Sequence, residues 1–279
     1  MSNKSKELEV AAVKNYLLPF LNLEKQYPLL PGAGNLSGQA AFIGISQDDL
    51  AEARQQYRSV TKTAALDLLK QQEVIDGLEA IPFGKDDTIM VIGDSLTDDL
   101  QGWFEVFRHV VQIGLDDSGH KLVNAAVYGS TSVDVLKQID RNLALHKPDW
   151  VLVAIGSVDA QRLHGTGERT LVSLADFYEN VSTIESMIAE ITRKPVIWIT
   201  PPPPISELMN DMPLFNGVLY EEDLARYREV IAGKAGIIVD PYGRRMGQPP
   251  EAWHYLPDGF HPSLSGHLET VKWLLRSFH

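Results

Sequence analysis

The chain has 279 residues, 44% of them hydrophobic, which is enough for a sizeable core in one large domain or in one domain with an appendage. Its formal net charge of −12 argues against a nucleic-acid backbone or an anionic membrane surface as a general partner, and favours a neutral or cationic small molecule. The absence of cysteine removes disulfides, thiolate metal sites and cysteine nucleophiles together.

At the N-terminus, Glu7, Glu9 and Lys14 interrupt the apolar run that a signal peptide needs, and no stretch approaches the ~20 apolar residues of a membrane span. A cytoplasmic protein with no membrane partner is the resulting expectation. Leu8, Val10, Val13, Leu17, Leu18 and Leu21 predict an amphipathic helix over 5–22, ended before Pro28 and Pro31. The Gly32–Gln39 segment lacks the Lys-Ser/Thr of a phosphate loop and reads as a plain loop. Ser46 with Asp48 and Asp49 starts a helical pattern that runs to residue 79, where Pro82, Phe83 and Gly84 break it. Residues 1–83 therefore read as a mostly helical N-terminal extension. It could cap a crevice, cover a sheet face or support a homo-oligomer.

From residue 84 to 279 the pattern changes. Strand-like runs at Ile89–Ile92, Leu122–Val127, Trp150–Ile155, Val196–Ile199 and Gly236–Val239 alternate with helical patterns near 97–110, 132–145, 171–192, 220–233 and 263–277. Short apolar strands interleaved with helices predict an α/β domain, a doubly wound parallel sheet covered on both faces. Pro201–Pro204 follows the fourth strand, where it would stiffen a loop at the ligand end of the sheet.

The first of these strands stops at Gly93, presents Asp94 and Ser95, and enters a helix. Ser95 fits either a helix N-cap or a nucleophile held at a strand tip, where open α/β sheets bind ligands. Asp258 and His261 lie three residues apart in a Pro/Gly-rich turn before the last helix. An aspartate there can fix the imidazole tautomer and leave the other ring nitrogen to take a proton from a serine. The remaining histidines, including His254 and His267, show no metal-ligand spacing, so no metal is expected. Asp98 and Asp99 suit the N-terminus of the helix after Ser95, Asp159 suits a structural carboxylate at a strand end, and Asn124 suits a turn. Arg162 fits a solvated loop or an anionic substrate group, and Trp253 and Tyr255 fit either a pocket wall or packing.

Gly93-Asp94-Ser95-Leu96 resembles the first block of the GDSL, or SGNH, family of serine esterases and lipases, and Asp258-Gly259-Phe260-His261-Pro262 resembles its last. Asn124 to Gly129 is similar to the second block. The resemblance covers roughly 86–277 and implies a flavodoxin-like sheet, a catalytic triad of Ser95, Asp258 and His261, and an oxyanion hole from the N–H groups of Ser95 and Gly129. The third block departs from the family's Gly-x-Asn-Asp: here it reads Gly156-Ser157-Val158-Asp159, and valine cannot donate a hydrogen bond. Ser157 and Gln161 are the nearest polar candidates for substrate or oxyanion contact. The implied reaction is cofactor-free hydrolysis of a small-molecule carboxylic ester, short-chain or sugar O-acyl. Val158 motivates the rival reading, a non-catalytic or weakly active binding module for carbohydrate or another small molecule on the same scaffold.

Overall fold

The computed structural model describes residues 16–115, 119–165, 167, 169–210, 217–240 and 250–279. Among them the strands are β1 (Thr88–Gly93), β2 (Lys121–Asn124), β3 (Trp150–Ala154), β4 (Arg162–Leu163), β5 (Ile197–Ile199), β6 (Gly217–Val218) and β7 (Ile237–Val239). The helices are α1 (Leu23–Gln26), α2 (Leu36–Ile43), α3 (Gln47–Leu68), α4 (Gln72–Glu79), α5 (Ser95–Asp98), α6 (Trp103–Gly114), α7 (Ser132–His146), α8 (Leu174–Ile191), α9 (Ser206–Asn210), α10 (Glu221–Ala232) and α11 (Leu264–Arg276). None is long and apolar enough to cross a membrane.

Five strands form one parallel sheet in the order β2-β1-β3-β5-β7, while β4 and β6 make a separate two-residue antiparallel ribbon. Successive strands of the sheet thus run 2-1-3-4-5, the flavodoxin-like order. Winding reverses between β1 and β3, and such a switch point opens a crevice beyond the strand tips. Ser95 lies at the tip of β1, beside that crevice.

Strand residues alternate between two apolar layers, as the two-residue period of a strand requires. Met90, Ile92, Val151, Val153 and Trp198 face one layer with α7, α8 and α10, which supply Ile139, Phe177, Ile184 and Ile231. Ile89, Val91, Leu152, Ile197 and Ile199 face the other, with Phe104 and Phe107 of α6 and Leu274 of α11. Ala65 and Leu68 of α3 and Val74 and Leu78 of α4 belong to that second layer, so the N-terminal helices share its core.

The expected strands all form, with ends shifted by a few residues. β2 stops at Asn124, yet Ala125 and Val127 still donate their N–H groups to Val91 and Gly93 of β1. Four expectations about local structure change. The pattern over 5–22 falls largely outside the described residues, and Leu18–Phe20, which holds Pro19, is a 3-10 turn. The loop expected over Gly32–Gln39 becomes helix from Leu36, because Leu36, Ala40 and Ile43 pack with Leu18, Leu21 and Leu50; that packing outweighs the glycine. The patterns over 46–79 and 97–110 each split in two. Extended backbone at Gln71 separates α3 from α4, and Asp99 to Gly102 separates α5 from α6, where Leu100 donates its N–H to the Pro19 carbonyl.

Candidate active site

Gly93 lets β1 turn sharply into α5. A Cβ there would lie 2.7 Å from the Ala154 carbonyl of β3 and 3.0 Å from Thr97 Oγ1, so only glycine fits between neighbouring strand and helix. Asp94, not Ser95, caps α5: its Oδ1 accepts the Leu96 N–H at 3.0 Å. That frees the Ser95 hydroxyl, which lies 3.1 Å from His261 Nε2. His261 Nδ1 is 2.7 Å from Asp258 Oδ2. All three residues are nearly inaccessible, with Ser95 and His261 each 2% exposed and Asp258 0%.

The Asp258–His261 turn holds itself. Asp258 Oδ1 accepts the N–H groups of Phe260 and His261 at 2.8 and 2.9 Å, so one carboxylate shapes the turn with one oxygen and orients the imidazole with the other. The proline-rich loop after β5 braces it from outside: Ile205 donates its N–H to the Gly259 carbonyl at 2.8 Å, and the Tyr255 hydroxyl donates to the Pro203 carbonyl. Tyr255 is buried and packs against Ile205, whereas Trp253 is exposed and lies over His254.

Asn124 fixes the turn after β2, donating to the Thr97 carbonyl at 2.9 Å and accepting the Ala126 N–H at 3.1 Å. Gly129 follows with φ +70°, a left-handed conformation that glycine adopts without strain. Among the described residues, no acceptor pairs with the N–H of Ser95 or of Gly129. One of these donors belongs to Ser95 itself, and the other to the residue after Tyr128, whose ring lies 6.5 Å from that of His261.

The other predicted residues are spoken for. Ser157 donates its hydroxyl to Asp94 Oδ2 and is committed there rather than to a substrate. Val158 is 7% exposed and packs in the apolar layer that contains Ile155, Leu96 and Phe260. Gln161 is half-buried, its N–H on the Val158 carbonyl and its carbonyl accepting from Leu171. Asp159 Oδ1 accepts the N–H of Ser132 at 2.9 Å and its hydroxyl at 2.5 Å, which ties the loop after β3 to the start of α7. Arg162 makes a bidentate pair with Asp223, at 2.6 and 2.8 Å.

Burial pushes three carboxyls upward: Asp94 to about 6 against the hydrogen bonds from Ser157 and Leu96, Asp98 to about 6 against the charge of Lys25, and Asp159 to about 7. Burial first, and the negative charge of Asp258 second, push the Tyr16 hydroxyl up to about 12 and raise that of Tyr128. Both therefore stay protonated beside His261.

Several site residues carry no local sequence signal. Phe20 lies 4.9 Å from the His261 ring centroid and 5.1 Å from that of Tyr128; the Tyr16 and Tyr128 centroids each lie 6.5 Å from His261. Asp98, expected to serve only its own helix end, instead accepts Asn22 Nδ2 and the Tyr128 N–H, each at 2.9 Å, and pairs with Lys25. Asp99 accepts the Gln101 N–H and faces His267. Apart from the local Asp99–Gln101 bond, these partners are far apart along the chain, so periodicity and spacing could not find them.

Chemically, a hydroxyl on an imidazole whose far nitrogen meets a carboxylate can carry acyl transfer. The chain is similar in structure to LAE5, an α/β hydrolase enzyme from the metagenome of Lake Arreo, Spain, at 19% identity and a TM-score of 0.58, over 70% of this chain and 96% of that one. It is also similar to Axe2, an acetylxylan esterase from Geobacillus stearothermophilus, at 20% identity and a TM-score of 0.56, over 71% and 96% of the two chains. No curated protein matches it significantly. The GDSL-like Lipase/Acylhydrolase family matches residues 91–268, well over half of the chain and spanning Ser95, Asp258 and His261, and this protein accordingly belongs to that family of carboxylic ester hydrolases.

Proposed function

We propose that the chain hydrolyses a short-chain or sugar O-acyl ester through an acyl-enzyme on Ser95. Ser95 Oγ attacks the carbonyl carbon while His261 Nε2 takes its proton; Asp258 holds the imidazole tautomer and offsets the imidazolium charge. The N–H groups of Ser95 and Gly129 receive the developing oxyanion. As the tetrahedral intermediate collapses, the leaving alcohol takes the proton from His261. A water molecule then gives a proton to the same nitrogen, attacks the acyl-enzyme, and releases the acid with Ser95 restored.

The observation that carries this reading is the continuous chain from Ser95 Oγ through His261 to Asp258, at 3.1 and 2.7 Å. Its support in the comparison is that catalytic mutants of Axe2 carry alanine in place of a serine, an aspartate and a histidine, the last two three positions apart, as Asp258 and His261 are. A small acyl group is favoured by the crowding of Tyr16, Phe20 and Tyr128 around His261. Acetylxylan esterase activity in Axe2 points to the same class.

The test is labelling with a fluorophosphonate, location of the adduct by mass spectrometry, and p-nitrophenyl acetate turnover by wild type and Ser95→Ala. An adduct on Ser95 with turnover lost in the variant is the expected result. No adduct, with equal background rates in the two proteins, rejects the mechanism and leaves a binding module on this scaffold. Wild-type turnover of p-nitrophenyl acetate, butyrate and octanoate checks the acyl class, which predicts a decline with chain length.

A further inference from the structure

The family match begins at residue 91, yet a segment well upstream of it is bonded to the loop that carries Gly129. Asp98, 1% exposed, is the intermediary. One of its oxygens accepts the N–H of Tyr128 at 2.9 Å, the residue just before Gly129. The other accepts Asn22 Nδ2 at 2.9 Å and pairs with the Lys25 ammonium. The same ammonium donates to the Ala126 carbonyl at 3.1 Å. The loop is thus gripped at residues 126 and 128, and the next N–H along, that of Gly129, has no protein acceptor among the described residues.

The segment is itself anchored to the nucleophile's turn. The Pro19 carbonyl accepts the N–H of Leu100, two residues after α5, and the Phe20 ring packs against those of both Tyr128 and His261. Asn22 is buried and Lys25 has little freedom, so this contact is a fixed part of the fold rather than a surface ion pair. Without a cation, Asp98 would be an uncompensated buried carboxylate and would take up a proton, weakening it as an acceptor for Tyr128.

We propose that Asn22 and Lys25 are positioning residues of the oxyanion hole: acting through Asp98, they hold the Ala126–Gly129 loop so that the Gly129 N–H faces the reacting carbonyl. The inference rests on the reading of Gly129 as an oxyanion donor. It makes the N-terminal segment a working part of a site whose reacting groups all lie downstream. It also bears on Val158, since a hole without a side-chain donor depends more heavily on the placement of its two backbone donors.

Steady-state kinetics of the full chain with p-nitrophenyl acetate test it, using Lys25→Met, Asn22→Leu, the double variant and Lys25→Arg. Loss of one oxyanion donor lowers turnover on the order of 10²–10³-fold, and a displaced donor loses a share of that. The double variant is expected to lose about 10- to 100-fold in kcat with KM within about twofold, and Lys25→Arg to stay within about threefold of wild type. Wild-type kcat in a folded double variant overturns the proposal. So does a change confined to KM, or an equal loss in Lys25→Arg that merely follows a lowered Tm. If the double variant does not fold, Asn22→Ala alone carries the test, and unchanged kcat there overturns it. Ser95→Ala is run alongside. Wild type no faster than that variant rejects the acyl-enzyme reading and this inference with it, whereas wild-type turnover with unaffected Asn22 and Lys25 variants rejects this inference alone.

Discussion

Replacing Asp159 by asparagine isolates the effect of one buried carboxylate on stability. Its Oδ1 accepts two hydrogen bonds from Ser132, and its Oδ2, also buried, has no partner among the described residues. An asparagine oxygen can take over both accepted bonds, so Asp159→Asn removes an ionisation while keeping the contacts. Burial, aided by the neighbouring charge of Asp94, raises this carboxyl from 3.8 to about 7 in the native chain. The native state therefore holds a proton that the unfolded chain has already released, and the stability this supplies is present at low pH and lost as pH rises through about 7. Between pH 8.5 and 5 about two pH units of this linkage act, at about 1.4 kcal/mol each, so the wild type gains about 3 kcal/mol from this group on acidification. The variant gains nothing from it; the Asp94 repulsion is already contained in the raised value and adds nothing further. Urea unfolding of both proteins at pH 5 and 8.5 measures the double difference, in which all other titrations cancel. With an m-value of about 3 kcal/mol/M, the variant's midpoint should exceed the wild type's by about 1 M more at pH 8.5 than at pH 5. Parallel pH dependence in the two proteins would refute the assignment of the raised carboxyl to Asp159. A uniform loss at both pH values would show that asparagine does not keep the Ser132 bonds.

Three further outcomes are expected. Asp258→Asn leaves the turn largely intact but presents the wrong partner to His261 Nδ1, and kcat for p-nitrophenyl acetate should fall on the order of 10³–10⁴-fold with little change in Tm. Gly93→Ala drives a Cβ against the Ala154 carbonyl and Thr97, so denaturant unfolding should show a loss of about 1–3 kcal/mol, accompanied by lower turnover. Val158→Asn buries an amide in an apolar layer: urea titration should register a loss of about 1–3 kcal/mol, and kcat should not rise, since the side chain packs in the core.

The run Ile89–Ile92, with alternate residues committed to two apolar layers, was legible from composition and period because a strand's side chains point to opposite faces whatever surrounds it. The same holds for the other four strands of the sheet. The positions of Ser95, Asp258 and His261 were legible for a different reason: each sits in a compact local motif, a glycine-bounded strand tip or a self-bonded turn. Failures cluster where long-range contact outweighs local preference. Packing against Leu50 makes Leu36–Ile43 helical despite Gly38, and the Pro19–Leu100 bond lies in the gap between the short α5 and α6. Ser157 looked like a free polar group and is instead committed to Asp94.

By itself, then, the sequence determined a doubly wound sheet, a serine at the tip of its first strand and an Asp-x-x-His turn before its last helix, because periodicity, glycine and turn chemistry act over a few residues. Only the tertiary structure decided that Asp94 caps the helix and frees Ser95, that Val158 belongs to the core, and that Asn22 and Lys25 reach the Gly129 loop through Asp98. Those outcomes depend on what distant parts of the chain bring to each position, Ser157 to the other oxygen of Asp94, an apolar layer to Val158, and Asn22 and Lys25 to Asp98, and these meet only when the chain has folded.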